Sequence, residues 1–583
     1  MAALWQRVGQ CALLSLLCLA TSVAPRSWAD GGPDAPALTA PLSAPAWGTL
    51  DCLTRLLPID SYSGPLNGPL ALSGARGEVA DAQLALFAAD TPWRGVRLVF
   101  SDLTGPGGAR IPHTLLRARR VGFIRTRTPF YRTRFVGLWP DPLLPEAPVD
   151  IAPRSRAFAW IDLRVPSAKP GRYAGTMTLT SDNDAPRRVP ITLRVWNFTM
   201  PRASHLQTAF GAGFNGRHPL DGGAVYDDLL AHRMTPIDGA PAPRLVTPPG
   251  PGKPGQWDWM DFDRTVRARL AQGMTGFALR LPDPKPAWAR AYQDHLALKG
   301  WLPLAYTYIA DEPTPDQLPA LNAQMEEIRR AAPRLRNLMT ARGYPPQLQS
   351  VDIWCPCIVT GRDDYFQPEA SRRAQAQGQE SWWYVAYPTT EPSVNLWTDY
   401  PLLDDRLWPW LTWKQNVDGI LYWAVTNWQN VQDPLGDAMT FLQANGDGEL
   451  MYPDAQGRPL DSMRLEALRD GLQDYEVFCL LEAGAQELDT LDKRSKTTPA
   501  VSQARQGLIA QARALCAIDP RLITDYKHFN TDPHALLATR FQMNQTLERL
   551  VAALGHEPTV VDRPRRRSLA RLGIPPLAPQ LSR

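Results

Sequence analysis

The fold is indicated most clearly by the stretch Leu304-Ala305-Tyr306-Thr307-Tyr308-Ile309-Ala310-Asp311-Glu312-Pro313-Thr314-Pro315. Residues 304–310 are almost entirely apolar, β-branched or aromatic, which predicts a buried strand. A helix start follows, because Thr314 suits the N-cap, Pro315 suits the first helical position and Gln317 completes a capping box. The stretch therefore predicts a strand-to-helix unit with Asp311 and Glu312 in the loop between.

The same unit repeats through the middle of the chain. Eight short apolar runs are candidate strands, and helical patterns such as 262–272 and 317–331 separate several of them. The predicted strands are 208–212, 235–238, 275–281, 304–310, 337–341, 351–355, 382–386 and 419–424, of which the second has the weakest pattern. Repeated units of this number indicate a central (β/α)8 TIM-like barrel in which 304–310 is the fourth strand.

The regions on either side of the barrel have different patterns. Alternating runs and a hairpin built from 173–180 and 188–196 predict an N-terminal β-sandwich. Helical spacing in 462–483, 501–516 and 535–554 predicts a C-terminal helical region. The fold class is thus multidomain, with predicted boundaries at 30–201 for the β-sandwich, 202–455 for the barrel, 456–556 for the helical region and 557–583 for a basic, Pro-rich tail whose composition is typical of disorder.

The first 29 residues have the organisation of a secretory signal peptide. Arg7 gives a positive start, an apolar stretch covers 11–24, and Ser27-Trp28-Ala29 provides a small-x-small cleavage site. The apolar stretch is too short for a firm transmembrane helix, and no other segment of the sequence approaches membrane-spanning length. We therefore expect an exported protein, periplasmic or secreted, with no integral membrane segment after signal removal.

Composition narrows the function classes. The 583 residues are 44% hydrophobic and 21% charged, which is typical of a globular protein of several domains. A net charge of +4 is too close to balance to predict nucleic acid as a partner. No phosphate loop, nucleotide fingerprint or metal-ligand spacing stands out in the sequence, so we expect no cofactor and no metal.

Asp311 and Glu312 lie at the predicted C-terminal end of the fourth strand, where barrels carry their active sites. Paired carboxylates are what glycosidic cleavage needs, but adjacent side chains poorly suit the usual pair, which brackets the scissile bond from two directions about 5 Å or more apart. They suit substrate assistance better. Asp311 would then orient the substrate's 2-acetamido group, which attacks the anomeric carbon, while Glu312 protonates the leaving oxygen and activates water. Close carboxylates shift each other's pKa, which helps keep Glu312 protonated.

Several phrases resemble the catalytic domain of glycoside hydrolase family 123, also catalogued as the domain of unknown function 4091. They are Tyr308-Ile309-Ala310-Asp311-Glu312-Pro313, Val351-Asp352-Ile353-Trp354, Trp383-Tyr384, Asp418-Gly419-Ile420-Leu421-Tyr422-Trp423, and Gly446-Asp447-Gly448-Glu449-Leu450-Met451-Tyr452-Pro453 followed by residues 464–476. The resemblance spans residues 90 to 485 approximately. It implies a β-N-acetylgalactosaminidase-like enzyme with Asp311 as acetamide stabiliser and Glu312 as acid/base, acting on an oligosaccharide or polysaccharide with a 2-acetamido sugar.

The chain has 20 Trp, many of them near the ends of the later predicted strands. Sugar rings stack their apolar faces on aromatic side chains, and polar side chains bind their hydroxyls. The substrate-binding candidates are Trp354, Tyr384, Trp423, Asn427, Trp428 and Arg342. For each Trp, packing in the barrel core is an equally good interpretation. Helical spacing in 464–476 predicts an amphipathic helix with acids on its surface.

Two alternatives stay open. Glu391, just beyond the seventh predicted strand, could be the nucleophile of a conventional two-carboxylate retaining glycosidase with Glu312 as acid/base. The chain could also be a non-catalytic exported glycan-binding protein built on a decayed barrel, although the intact Asp311-Glu312 pair argues against it.

Overall fold

The computed structural model describes residues 42–212, 218, 220–250, 255–362, 364–428, 431–560 and 572–573. The predicted signal peptide and most of the predicted tail lie outside these residues. Among the helices described, none is both long and apolar enough to cross a membrane.

Two mainly antiparallel sheets form the first part of the described chain. Their strands are β1 (Ala46–Leu50), β2 (Leu70–Arg76), β3 (Val79–Phe87), β4 (Trp93–Phe100), β5 (Leu103–Thr104), β6 (Arg110–Ile111), β7 (Leu116–Arg125), β8 (Leu138–Leu144), β9 (Val149–Ile151), β10 (Arg156–Arg164), β11 (Gly171–Thr180) and β12 (Arg187–Thr199). One sheet has the order β1-β3-β10-β7-β8, and the other has the order β2-β12-β11-β4-β9 with β5 and β6 beside β11. The predicted hairpin is present as the antiparallel pair β11 and β12. Side chains of both sheets, such as Leu84 and Val189, share one apolar core.

A nearly closed parallel barrel follows. In chain order its elements are β13 (Gln207–Phe210), α1 (Gly222–Ala231), the hairpin strands β14 (Arg244–Thr247) and β15 (Gln256–Asp258), α2 (Met260–Gln272), β16 (Phe277–Leu279), α3 (Lys285–Lys299), β17 (Ala305–Tyr308), α4 (Leu318–Ala331), β18 (Arg336–Ala341), β19 (Ile353–Pro356), α5 (Pro368–Ala376), β20 (Glu380–Tyr384), α6 (Leu402–Lys414) and β21 (Gly419–Tyr422). The sheet order is β13-β21-β20-β19-β18-β17-β16, and each neighbouring pair is parallel.

The segment Thr235-Pro236-Ile237 connects the two edge strands of this sheet. The backbone N–H of Ile237 donates to the carbonyl of Phe210 in β13 (2.9 Å), and the N–H of Ala278 in β16 donates to the carbonyl of Ile237 (3.0 Å). Pro236 has no N–H to add to a ladder, so the predicted second strand is a bridge and not a regular strand. The other seven predicted strands are present, although no helix separates β18 from β19 in the described residues 342–352.

Side chains inside the barrel alternate with side chains that face the surrounding helices, as the period of two in a strand requires. The interior core contains Tyr306, Leu338, Cys355, Tyr384 and Leu421. Their immediate neighbours in the same strands belong to cores shared with the helices; these are Ala305, Met339, Trp354, Trp383 and Ile420. The alternation decides which of the predicted site residues face the inside of the barrel.

The rest of the described chain is mainly helical. It contains β22 (Tyr452–Pro453), β23 (Pro459–Leu460), α7 (Met463–Arg494), α8 (Pro499–Ala517), β24 (Ile523–Asp525), β25 (His528–Phe529) and α9 (Pro533–Leu554). The prediction of surface acids on α7 is wrong. Glu466, Asp474 and Glu476 have no exposed surface, and Asp470 is buried as well.

The buried charges of α7 bind partners from every other part of the structure. The pairs include Arg464–Asp141 (2.9 Å) to β8, Arg469–Asp81 (2.5 Å) to β3, and Asp474 with both Arg406 of α6 (2.7 Å) and Arg540 of α9 (2.5 Å). Burying a charge is tolerable only when it is paired and hydrogen-bonded. Helical periodicity could not reveal this, because the partners lie more than 60 residues away along the chain. The helix α7 therefore ties the two sheets, the barrel and the C-terminal helices together.

Candidate active site

Asp311 and Glu312 lie just beyond β17 and before α4, at the carboxyl end of the parallel strands. Both side chains have exposed surface. The helix begins at Leu318, three residues later than predicted, because residues 315–317 form a turn. One half of the predicted capping box is present, since the backbone N–H of Thr314 donates to the side chain of Gln317 (3.0 Å). The structure therefore places the carboxylate pair in a loop between strand and helix, as the sequence predicts.

The backbone of Glu312 turns sharply at the strand end. Its φ is +42°, in the left-handed region that residues other than glycine seldom adopt. The N–H of Glu312 donates to Oγ1 of Thr340 in the neighbouring strand β18 (3.2 Å), which supports this conformation. The turn allows adjacent side chains to serve one site, because successive residues of a regular strand would point to opposite sides.

Two hydroxyl groups hold Asp311. The hydroxyl of Tyr308 donates to its Oδ1 (2.6 Å), and the hydroxyl of Thr340 donates to the same oxygen (2.8 Å). Thr340 thus donates to one carboxylate residue and accepts from the backbone of the other. No described residue donates to Oδ2 of Asp311, so that oxygen is available to a ligand.

Glu312 has a different environment. The hydroxyl of Tyr384 donates to its Oε1. Partial burial raises the pKa of Glu312, the hydrogen bond from Tyr384 lowers it, the negative charge of Asp311 raises it, and the positive charge of Arg342 lowers it. The net result is a pKa above the ordinary value for a glutamic acid. A general acid that works near neutral pH requires such a shift.

The structure brings only some of the predicted binding residues to the pair. Tyr384 and Arg342 act directly on Glu312. Trp354 instead packs with Leu318 and Met325 of α4, on the outer side of the strand layer.

The residues after β21 are mostly buried. Trp428 is 1% exposed, and its indole N–H donates to the carbonyl of Met451 (3.2 Å). Asn427 is also buried, and its backbone N–H donates to the carbonyl of Gly448 (2.8 Å). Trp423 keeps part of its surface exposed at the barrel mouth, so it remains the best placed of the predicted tryptophans.

Trp423 is held by a turn that sequence reasoning did not connect with the site. Its indole N–H donates to Oδ1 of the buried Asp447 (3.0 Å). Gly448 has φ of +74°, and a Cβ there would lie 2.4 Å from the Trp423 ring. The turn therefore needs glycine both for its backbone conformation and to leave room for the indole.

Glu391 interacts with residues other than the pair. Its backbone N–H donates to the hydroxyl oxygen of Tyr400 (3.1 Å), and its charge acts on the pKa of Tyr400 and Asp404. The side-chain charges that act on Glu312 are those of Asp311 and Arg342. The carboxylate whose charge acts on Glu312 is therefore that of Asp311.

Two other clusters of ionisable groups are already occupied by arginines. In the first, Cys52, Asp81 and Asp470 line a cavity of about 370 Å³ between the sheets and α7, where Arg406 and Arg469 bind them. In the second, Asp461 lies beside Asp228 and His232 and accepts from Arg119. Neither cluster is near the carboxylate pair in the fold, and the expected absence of a metal stays a prediction.

Comparison with known proteins finds a family match over the middle of the chain. The glycoside hydrolase 123 catalytic domain matches residues 286–481, from α3 into α7, which include Asp311 and Glu312. A family 123 glycoside hydrolase from Clostridium perfringens, studied for glycolipid glycan hydrolysis, shares 15% identity at a TM-score of 0.58, over 88% of this chain and 98% of that chain. A family 39 glycoside hydrolase from Bacteroides cellulosilyticus shares 11% identity over 70% of this chain and 81% of that chain, with a TM-score of 0.33. No curated protein sequence matches the chain. The chain therefore carries the catalytic domain of glycoside hydrolase family 123 at residues 286–481.

Proposed function

We propose that this glycoside hydrolase is exported and cleaves β-linked 2-acetamido sugars of the N-acetylgalactosaminide type by substrate-assisted, retaining catalysis. The parallel barrel would serve as a (β/α)8 frame in which Thr235-Pro236-Ile237 replaces the second strand. Export rests on the signal-like pattern of residues 1–29. The observation that carries the mechanism is the contrast within the pair, since Asp311 accepts two hydroxyl hydrogen bonds at Oδ1 while Glu312 has a raised pKa.

The proposed reaction has two steps. In the first, Glu312 donates its proton to the glycosidic oxygen while the acetamido carbonyl oxygen attacks C1, and the C1–O bond to the leaving group breaks. Oδ2 of Asp311 accepts a hydrogen bond from the acetamido N–H and stabilises the oxazolinium intermediate. In the second, the Glu312 carboxylate removes a proton from water, and that water attacks C1 and restores the acetamido group. Two inversions at C1 give overall retention.

A panel of aryl β-glycosides tests the proposed substrate class. We expect turnover of the 2-acetamido-2-deoxy-galactoside, lower turnover of the corresponding glucoside, and at least about 100-fold lower kcat/KM for the galactoside with a 2-hydroxyl, because the hydroxyl cannot act as the nucleophile. Equal turnover of the acetamido and hydroxyl substrates would contradict the mechanism and favour a two-carboxylate enzyme.

Thr340→Val removes the hydroxyl of this residue but keeps its volume. The change removes the donor to Asp311 and the acceptor for the Glu312 N–H, so we expect kcat to fall by about 10–100-fold, as when a supporting hydrogen bond of a catalytic group is lost. Thr340→Ser keeps the hydroxyl and should retain most of the activity. If both variants lose activity equally, the hydroxyl is not what orients the pair.

Arg342→Ala should move the pH profile in a defined direction. The positive charge of Arg342 lowers the pKa of Glu312, so its removal raises that pKa further. Because the proposed first step needs protonated Glu312, the fall of kcat/KM on the alkaline side should shift to higher pH. Arg362→Ala is the control, since Arg362 faces the same Tyr365 ring (5.4 Å against 5.5 Å for Arg342) but is not among the charges acting on Glu312. A shift to lower pH would contradict the assignment.

A further inference from the structure

We propose that an aromatic track at the mouth of the barrel, completed by a loop of the N-terminal sheets, binds the sugar units beyond the one that is cleaved. The track consists of Trp423, Phe441, Tyr387 and Phe130. Successive ring centroids are separated by 5.0, 6.2 and 4.5 Å. The proposal rests on the proposed function and assigns it a substrate longer than a single sugar.

The track begins at the candidate active site. Tyr384, whose hydroxyl binds Glu312, is the last residue of β20. Tyr387 follows it three residues later. Trp423 directly follows β21, the neighbouring strand. Burial raises the pKa of the Cys357 thiol, and the negative charges of Glu312 and Asp447 raise it further. Asp447 is the residue that accepts the hydrogen bond from the Trp423 indole. The inner end of the track and the carboxylate pair therefore both lie at the carboxyl ends of the barrel strands, and Tyr384 and Trp423 follow the neighbouring strands β20 and β21.

The outer end of the track leaves large apolar side chains in water. Phe130 is 42% exposed, and Leu442, the residue after Phe441, is 53% exposed. Leu442 and Gln443 both have positive φ (+38° and +62°), although neither is glycine. Such conformations cost free energy and are typical of ligand-binding segments. An exposed apolar surface that the backbone maintains in this way indicates a binding surface.

The loop that carries Phe130, residues 126–137 between β7 and β8, is firmly attached to the barrel. Buried Asn445 donates to the carbonyl of Arg127 (2.9 Å) and accepts from its N–H (3.0 Å). Tyr131 stacks on Trp397 with centroids 4.0 Å apart and donates to Asp399 (2.5 Å). The N–H of Phe130 donates to the carbonyl of Gln443 (3.2 Å). A surface held in place before binding loses little entropy when a ligand docks.

The composition of the track fits a carbohydrate. Flat aromatic rings offer apolar faces to the C–H faces of sugar rings. Polar side chains border them, because Gln443 is exposed and the ion pair of Arg127 with Asp437 leaves 64% of the Arg127 side chain in solvent. Such groups can bind sugar hydroxyls. An acyl chain would bind more favourably beside apolar side chains.

Binding of two ligands tests the track. In full-length protein carrying Glu312→Gln, which slows turnover of substrates with poor leaving groups, calorimetry compares methyl 2-acetamido-2-deoxy-β-galactoside with a β-linked trisaccharide that ends in the same sugar. We expect the trisaccharide to bind at least about tenfold more tightly. Adding Phe130→Ala should reduce this ratio by about fivefold, which corresponds to one aromatic contact of roughly 1 kcal/mol. Leu298→Ala, which changes an 82% exposed side chain on α3, should leave the ratio unchanged.

The outcomes separate the two proposals. If both sugars bind but with equal affinity, or if Phe130→Ala leaves the ratio unchanged, the track is overturned and the proposed function stands. If an octyl glycoside gains affinity through Phe130 and the trisaccharide does not, the track binds alkyl chains and the carbohydrate assignment is overturned. If neither sugar binds, the proposed substrate class itself fails.

Discussion

Glu312→Gln is expected to lower kcat for a phenyl 2-acetamido-2-deoxy-β-galactoside by about 10²–10⁴-fold, the usual contribution of a general acid. The loss should be much smaller for a 2,4-dinitrophenyl glycoside, because that leaving group departs without protonation. The amide keeps the shape of the side chain and can still accept the hydrogen bond from Tyr384. Steady-state kinetics on the two substrates therefore separate the loss of a proton donor from damage to the site.

Glu391→Gln is the matched control. Glu391 is an exposed carboxylate whose backbone binds Tyr400, so its change should leave kcat within about twofold on both substrates. A large loss in Glu391→Gln together with a small one in Asp311→Asn would reverse the assignment. That pattern would identify a two-carboxylate glycosidase with Glu391 as the nucleophile.

Asp474→Ala is expected to destabilise the protein by about 3–5 kcal/mol, the cost of leaving buried charges without their partner. Asp474 has no exposed surface and accepts from Arg406, Arg540 and the Trp410 indole. Urea unfolding of the variant and the wild type, followed by far-UV circular dichroism, measures the difference. Asp489→Ala on the same helix α7 is the control, because its partners Lys493 and Arg513 are largely in solvent, and it should change the free energy of unfolding far less than Asp474→Ala does.

The same carboxylate gives a pH dependence with a defined sign. Burial by itself would raise the pKa of Asp474, but Arg406 and Arg540 lower it below the usual value. A group whose pKa is lower in the folded state stabilises the protein above its unfolded pKa of about 3.9 and loses that contribution as the pH falls further. The difference in the free energy of unfolding between wild type and Asp474→Ala should therefore become smaller at acidic pH. A difference that stays constant down to the folded pKa would contradict the pairing.

The sequence predicted the parts of the fold that local patterns control. Seven of the eight predicted barrel strands are present, because each is a short apolar run with a clear boundary. The second was misjudged because Pro236 limits its hydrogen bonding to a bridge. The burial of Glu466, Asp474 and Glu476 was missed because helical spacing describes one helix and not the arginines that distant segments bring to it.

The candidate site was predictable to a similar degree. Asp311 and Glu312 follow one strand, so the local sequence was enough to place them in a loop. Thr340 belongs to the next strand, and its contact with both residues depends on the register of β17 and β18. A polar residue at an interior position of the neighbouring strand was the available signal. The role of the loop around Phe130 depends on packing between distant parts of the chain, which periodicity does not describe.

The most direct test of substrate assistance is inhibition by N-acetylgalactosamine-thiazoline, a stable mimic of the oxazolinium intermediate. A mechanism in which Asp311 stabilises the acetamido group predicts competitive inhibition of the wild type, with an inhibition constant well below the KM of the aryl 2-acetamido-2-deoxy-β-galactoside. It also predicts much weaker inhibition of Asp311→Asn. Turnover of that substrate with no inhibition by the thiazoline would contradict it.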